Sequence, residues 1–301
     1  MEQYKTMKHI PVLLKETVEG LNISDGDIIL DGTLGAGGHS NAICELGKKD
    51  LTLIGLDADG AAIKRSRERL EKHEGVKFHF VKTNSVNLDT VLEDLEIPKV
   101  DKFVFDLGLS SYQLDEDERG FTFHGNQPLS MTFNDEPGEG EVTAYDVVNH
   151  FEEESIADII FGFGGERHAR KIAKAIIKER MINPIETTEQ LVTVIKRVTP
   201  MGGKIHPATK TFQAIRIAVN REIENLPKIL DKAYKHLSPG GRIAVITFHS
   251  LEDRVVKTFF REREDEGLGK RITKKPIPPT DEEVKENPRS RSAKLRILEI
   301  N

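Results

Sequence analysis

The chain has 301 residues, 31% charged and 37% hydrophobic, with a formal net charge of −6 and a mean hydropathy of −0.42. This balance argues against a helical membrane protein, since no run approaches the ~18 apolar residues a span needs, and against a protein that coats nucleic acid non-specifically. The single cysteine, Cys44, excludes an intrachain disulfide and points to a reducing compartment.

The first twenty-one residues include Glu16 and Glu19 and lack a signal-peptide core, so a cytoplasmic location is expected. His9 to Leu13 leads into a helix that Gly20 is expected to end. Ile28-Ile29-Leu30 then reads as a first strand, closed by Asp31. It runs into the turn Asp31-Gly32-Thr33-Leu34-Gly35-Ala36-Gly37-Gly38-His39-Ser40 and a helix over 41–48, where Cys44 reads as a buried thiol. Four glycines within seven positions let this backbone turn tightly and lie close against a ligand. The start of the following helix adds unpaired N–H groups and a partial positive charge.

A second strand, 51–57, ends in Asp57. Its helix, 61–73, is charged outside and turns Ile63 and Leu70 inward. A third strand (76–81), a helix (88–95) and a fourth strand ending in Asp106 follow, with Pro98 as the break between the last two. Alternating strands and helices predict an α/β fold, a parallel sheet with helices on both faces.

The alternation stops after Ser111. An acidic, loop-rich stretch comes next, then helices over 155–161, 166–179 and 188–198, with Pro200, Gly202, Gly203 and Pro207 marking the end. A long amphipathic stretch over 209–237 returns toward the sheet. Pro239-Gly240-Gly241 reads as a turn before a fifth strand, 242–248, and a helix from 251 to 260. A charged loop (270–292) and a last strand (294–300) complete the chain. The expected layout is one α/β domain, 1–110 with 208–301, carrying a mostly helical insertion at 111–207. Insertions this long are usually functional or disordered. Residues 113–160 hold 13 Asp/Glu and one Arg, whereas 161–216 hold 11 Lys/Arg and four Glu. The two blocks either pair with each other or leave the basic one facing a polyanion.

Three ligand classes use a glycine turn after a first strand. A Walker A loop ends in Gly-Lys-Ser/Thr; this turn ends Gly-Gly-His-Ser. A dinucleotide fingerprint places glycine where Ser40 stands. S-adenosylmethionine carries a sulfonium and no phosphate, and Asp31 suits that cation and would repel a diphosphate. The spacing Asp31-x-x-x-Gly35-x-Gly37 is that of many methyltransferases, and Asp57 stands where a ribose-binding carboxylate belongs.

The blocks DGTLGAGGHS, FDLGLSSYQLDEDERGFTF, GERHARKIAKAI, HPATKTFQAIRIAVN, LSPGGRIAVITFHSLEDRVVK and NPRSRSAKLR closely resemble the ribosomal RNA small subunit methyltransferase H family (RsmH, also called MraW), over His9 to Arg296. The resemblance implies a Rossmann-like class I methyltransferase sheet with an inserted helical domain. It also implies methyl transfer from S-adenosylmethionine to N4 of a cytidine in the decoding region of 16S rRNA. Its cofactor contacts fall on Gly37, Gly38, His39, Asp57, Asp106 and Gln113, and on Asn84, where enterobacterial members carry phenylalanine. At Leu129-Ser130-Met131 the family pattern has an aspartate in the serine's place.

Cytosine N4 is a poor nucleophile because its lone pair is delocalised into the ring. A hydrogen-bond acceptor for N4–H and an in-line approach would help it. Asp106 is the candidate catalytic group, orienting either the amine or the cofactor; its alternative is a helix cap. Tyr112, stacking on a flipped base, and His249 and Ser250 at the end of the fifth strand are candidate substrate contacts, with packing roles as their alternatives. Arg167, Arg170, Lys171, Lys174 and Lys178 recur along one helix, either as a solvated face or as contacts to rRNA phosphates. The tail residues Arg289, Arg291, Lys294 and Arg296 carry the same two readings. No zinc or calcium motif is present, and no metal is expected. The expected partner is 16S rRNA or the small subunit. Two other functions stay open at this stage: a nicotinamide-dependent oxidoreductase on the same fold, and an assembly factor that binds RNA without catalysis.

Overall fold

A computed structural model describes residues 10–123, 125–138, 140–200 and 205–301. The strands are β1 (Ile28–Asp31), β2 (Leu51–Asp57), β3 (Val76–Lys82), β4 (Val100–Asp106), β5 (Leu237–Thr247), β6 (Gly269–Arg271) and β7 (Lys294–Ile300). They form one sheet in the order β3-β2-β1-β4-β5-β7-β6. The first five are parallel, and β7 runs antiparallel between β5 and β6. This is the Rossmann-like class I methyltransferase sheet expected from the sequence, with a reversed strand near one edge.

Both faces are covered, so the inner strands read as almost continuous apolar runs. Consecutive side chains go to opposite faces. Leu30, Phe103, Phe105 and Val245 enter a core with Leu230 and Phe260. Ile29, Val104, Ala244 and Ile246 enter a second core with Leu13, Ile43, Leu295 and Ile297.

The chain divides into two compact units. One runs to Gly108 and resumes at Ile223; the other spans Leu109–Glu222. The second boundary lies later than residue 207 because helix Thr209–Val219 gives Phe212 and Ile215 to the insertion's own core, with Val147, Ile156, Ile160, Ile172, Ile176, Leu191 and Ile195. Gly164 allows this contact: a Cβ there would come within 2.4 Å of the Lys210 carbonyl oxygen. In the acidic stretch the lone Arg119 binds Asp117 and the carbonyls of Thr132 and Phe133 (3.0 and 2.9 Å).

Several expected boundaries move, each for a local reason. Gly20 lies inside helix Leu14–Leu21, where a Cβ would strike Ile297, and Asn22 takes the left-handed cap instead. The stretch 209–237 is two helices, Thr209–Val219 and Glu222–His236, parted at Asn220 and Arg221 (φ 51°). Asn220 leaves the helical path to bond Phe133 N–H and Met131 C=O, both at 2.7 Å. Pro239-Gly240-Gly241 is no separate turn, because β5 runs through it with a shift of register against β4. The expected loop 270–292 contains part of β6, helix Asp281–Glu286 and a 3₁₀ turn, Pro288–Ser292. Gly202 and Gly203 lie outside the described residues.

Candidate active site

The glycine turn is braced from three neighbours. Asp57, closing β2, accepts the Gly35 N–H at 2.8 Å and the Asp59 N–H at 2.9 Å. Thr33 Oγ1 accepts the Asp106 N–H at 2.6 Å, tying the turn to the end of β4. Ser85, in the 3₁₀ turn after β3, donates to the Gly32 carbonyl. Gly35 and Gly37 need their freedom, at φ 53° and 70°. Gly38 needs its bareness, since a Cβ would lie 2.3 Å from Pro11 Cγ.

Three carboxylates gather at this edge. Asp31 is 2% exposed; its Oδ2 accepts from Ser40 Oγ (2.7 Å) and its Oδ1 from Thr33 N–H (3.2 Å). Burial pushes its pKa up to about 6, with the Asp57 charge adding and its two donors opposing. Burial likewise pushes Asp57 up to about 6 against the N–H groups of Asp59 and Gly35. Asp106 is raised well above the usual carboxylate range, first by burial and then by the charges of Asp31 and Glu252. Its Oδ1 is buried and has no hydrogen-bond partner among the described residues. Its Oδ2 stands 3.8 Å from Nδ1 of the buried His39, whose Nε2 donates to the Val12 carbonyl at 3.0 Å. Crowded carboxylates with one unmet acceptor fit a cationic ligand or an N–H donor, and repel a diphosphate. The donor set therefore fits S-adenosylmethionine.

Asp31, Gly35, Gly37, Gly38, His39, Asp57 and Asp106 are brought together. Asn84, two residues after β3, is the half-buried cap of the 3₁₀ turn Ser85–Asn87, accepting the Val86 N–H at 3.0 Å. His249 caps helix Ser250–Asp265: its Nδ1 accepts the Glu252 N–H (3.4 Å), while Glu252 Oε2 accepts the Phe248 N–H (2.9 Å). Ser250 is exposed in the first turn of that helix.

In the other unit, the buried Gln113 and half-buried Tyr112 belong to a short helix, Ser111–Asp115. Gln113 Oε1 accepts the Ser110 N–H, and Ser110 Oγ the Gln113 N–H. Ser110-x-x-Gln113 is a capping-box signature that sequence reasoning passed over. It also missed Thr33, Ser85 and Glu252, whose roles depend on contacts between separate strands. Arg167, Arg170, Lys171, Lys174 and Lys178 are all exposed, and no ion pair among the described residues engages them. Arg167 lies in the turn before helix Ala169–Arg180, which carries the other four; Ile172, Ala173 and Ile176 line the buried side of that helix. Of the tail residues, Arg296 is buried against Asp253 (2.7 Å) and Lys294 also reaches that carboxylate (3.3 Å), which favours a packing role for both.

Residues 6–301 match the family model described as the MraW methylase family. The chain belongs to that family. The methylase is 46% identical to ribosomal RNA small subunit methyltransferase H of Clostridium botulinum (strain Kyoto / Type A2), over 96% of this chain and 98% of the relative. The Fusobacterium nucleatum protein of the same name is 47% identical, with 99% of each chain covered. A solved rRNA methylase from Streptococcus thermophilus aligns with a TM-score of 0.44 at 12% identity, over 95% of this chain and 93% of that one. Membership sets aside the oxidoreductase alternative. Among the described residues, no helix is long and apolar enough to cross a membrane.

Proposed function

We propose that this methylase, which uses S-adenosylmethionine and acts on small-subunit ribosomal RNA, methylates the exocyclic N4 of a cytidine in the decoding region of 16S rRNA. Family membership and the relatives' names support the reaction and the substrate class. The single observation that favours an amine is the unpartnered, buried Oδ1 of Asp106, next to a turn shaped for a cationic nucleoside.

Bound at the turn, S-adenosylmethionine supplies an electrophilic methyl group. Gly35, Gly37 and Gly38 let the backbone approach it, and Asp57 takes the ribose hydroxyls on the lone pairs its N–H partners leave. Asn84 and Gln113 are further cofactor contacts by family resemblance. A cation among Asp31, Asp57 and Asp106 draws their pKa values down, so Asp106 is ionised when the amine arrives. Its carboxylate accepts the N4–H hydrogen bond and takes the proton released as the N–CH3 bond forms. His39 Nδ1 stands 3.8 Å from the carboxylate's other oxygen.

Arg167, Arg170 and Lys171, with Lys174 and Lys178, hold RNA phosphates; Tyr112 stacks on the target base; His249 and Ser250 contact it. The setting is the cytoplasm, where ribosomes are assembled. Mass spectrometry of 16S rRNA nucleosides from cells with and without this protein tests the reading. Loss of N4-methylated cytidine is the expected result, and an unchanged nucleoside profile would overturn it.

A further inference from the structure

The segment Ile10–Leu13 lies across the glycine turn and is held there by residues some 270 positions later. Pro11 occupies the space over Gly38, and the Val12 carbonyl anchors the His39 ring. Leu13, fully buried, sits in the left-handed region at φ 50°, ψ 37°. A leucine there costs roughly 1–2 kcal/mol, so this conformation persists only where its surroundings impose it.

Two side chains impose it. Glu283 Oε1 accepts the Leu13 N–H at 2.8 Å, and Asn287 Nδ2 donates to the Ile10 carbonyl at 3.1 Å. Thr280 and Glu283 have the spacing of a capping box, yet only half of one forms. Thr280 Oγ1 accepts the Glu283 N–H (3.1 Å), while the glutamate side chain reaches away to Leu13. That diversion gives up a local cap for a contact 270 residues distant.

We propose that Glu283 and Asn287 are positioning residues for methyl-donor binding: they clamp the Ile10–Leu13 strap onto Gly38 and His39 and so set the shape of the donor-binding turn. This rests on the reading of that turn as the cofactor site. Neither residue touches the reacting atoms, so the effect falls on donor affinity. The clamp also explains why the second glycine of the Gly37-Gly38 pair must be bare, since the strap occupies the space beside it.

The test titrates S-adenosylhomocysteine calorimetrically into the full-length protein and its Glu283→Ala, Glu283→Gln and Asn287→Ala variants, with amide hydrogen exchange followed in parallel. Glu283→Ala and Asn287→Ala should each weaken binding about fivefold, the equivalent of one lost hydrogen bond, and raise KM for the donor with kcat retained. Glu283→Gln keeps an oxygen for the Leu13 N–H and should bind as the wild type does. Exchange should quicken both in the strap and at Gly38 and His39. Lower melting temperatures with unchanged affinity and unchanged exchange at Gly38 and His39 would sink the proposal. If Glu283→Ala does not fold, Asn287→Ala and Glu283→Gln still decide it. Asp57→Ala serves as the control. If it binds the probe normally, the cofactor-site reading fails, and exchange at Gly38 and His39 still decides the clamp.

Discussion

Ser40 Oγ donates to Asp31 Oδ2 at 2.7 Å, so the residue that ends the glycine turn satisfies the carboxylate that begins it. In a dinucleotide fingerprint this position would be glycine; here its hydroxyl holds a buried charge. Ser40→Ala should cost about 1.5–3 kcal/mol at pH 7.5, the range for a hydrogen bond to a charged group. The cost should shrink at pH 5, where Asp31, with its pKa near 6, has taken up a proton. Urea unfolding at the two pH values measures both.

The buried carboxylates give the protein an unusual pH profile. Asp31 and Asp57 move from the ordinary 3.8 up to about 6. Between those values the folded chain holds protons that the unfolded chain has released. The stability they contribute is therefore fully present below about 3.8 and lost as pH rises through about 6. Asp89, Asp146 and Asp253, held below 3.8, act in the opposite sense and only at lower pH. Urea midpoints should fall from pH 5 to pH 7, with a shallower slope in Asp57→Asn. An equal slope in that variant would assign the titration to other groups.

Asp57→Ala removes the proposed ribose acceptor and the partner of the Gly35 N–H together. Two charge-assisted bonds at stake imply a loss of about a hundredfold or more in cofactor affinity. Asp57→Asn keeps one acceptor oxygen and should fall between. Calorimetry with S-adenosylhomocysteine ranks the three proteins.

For Asp106 the isosteric change is the informative one. Asp106→Asn retains the shape but cannot take the proton from N4, so kcat should fall by about 10²–10⁴-fold, the usual worth of a general base. Donor affinity should change far less. Wild-type turnover at saturating donor would assign Asp106 to the cofactor alone.

Lys171, Lys174 and Lys178 are spaced three and four apart on the exposed side of the Ala169–Arg180 helix, and Arg167 is exposed just before its start. Replacing the three lysines with glutamine should weaken RNA binding and flatten its salt dependence by about 0.7–0.9 in log–log slope per phosphate contact. Cofactor binding should stay as it is. Filter binding across a salt series reads the slope, and an unchanged slope would remove this face from the RNA contact.

The parts of the fold legible in the sequence were those written locally. β1, β2 and β4 announce themselves by apolar runs ending in aspartate and β3 by its apolar–polar alternation, and helix Thr188–Val198 lies where the sequence puts it. What escaped depends on distant partners. Gly20 looked like a helix stop because nothing nearby reveals Ile297 beside it. Pro239-Gly240-Gly241 looked like a turn because β4, which absorbs it as a bulge, is more than a hundred residues away. Asp31, Asp57 and Asp106 are legible from their place at strand ends, whereas Thr33 and Ser85 are not, because a hydroxyl bracing a turn has no sequence period. The Ser110–Gln113 capping box, by contrast, is local, written in four consecutive residues.

The chain leaves the sheet after β4 and re-enters through helix Glu222–His236 into β5, and these two strands are neighbours. The Leu109–Glu222 unit thus occupies an ordinary crossover and interrupts no ladder. Lengthening such a connection costs little, about 0.6 kcal/mol per doubling for a flexible loop. Asp31, Gly35 and Asp57 all come before the departure point. The scaffold is therefore open to grafting: the inserted module can change in length while the strands that carry Asp31, Asp57 and Asp106 keep their order and pairing.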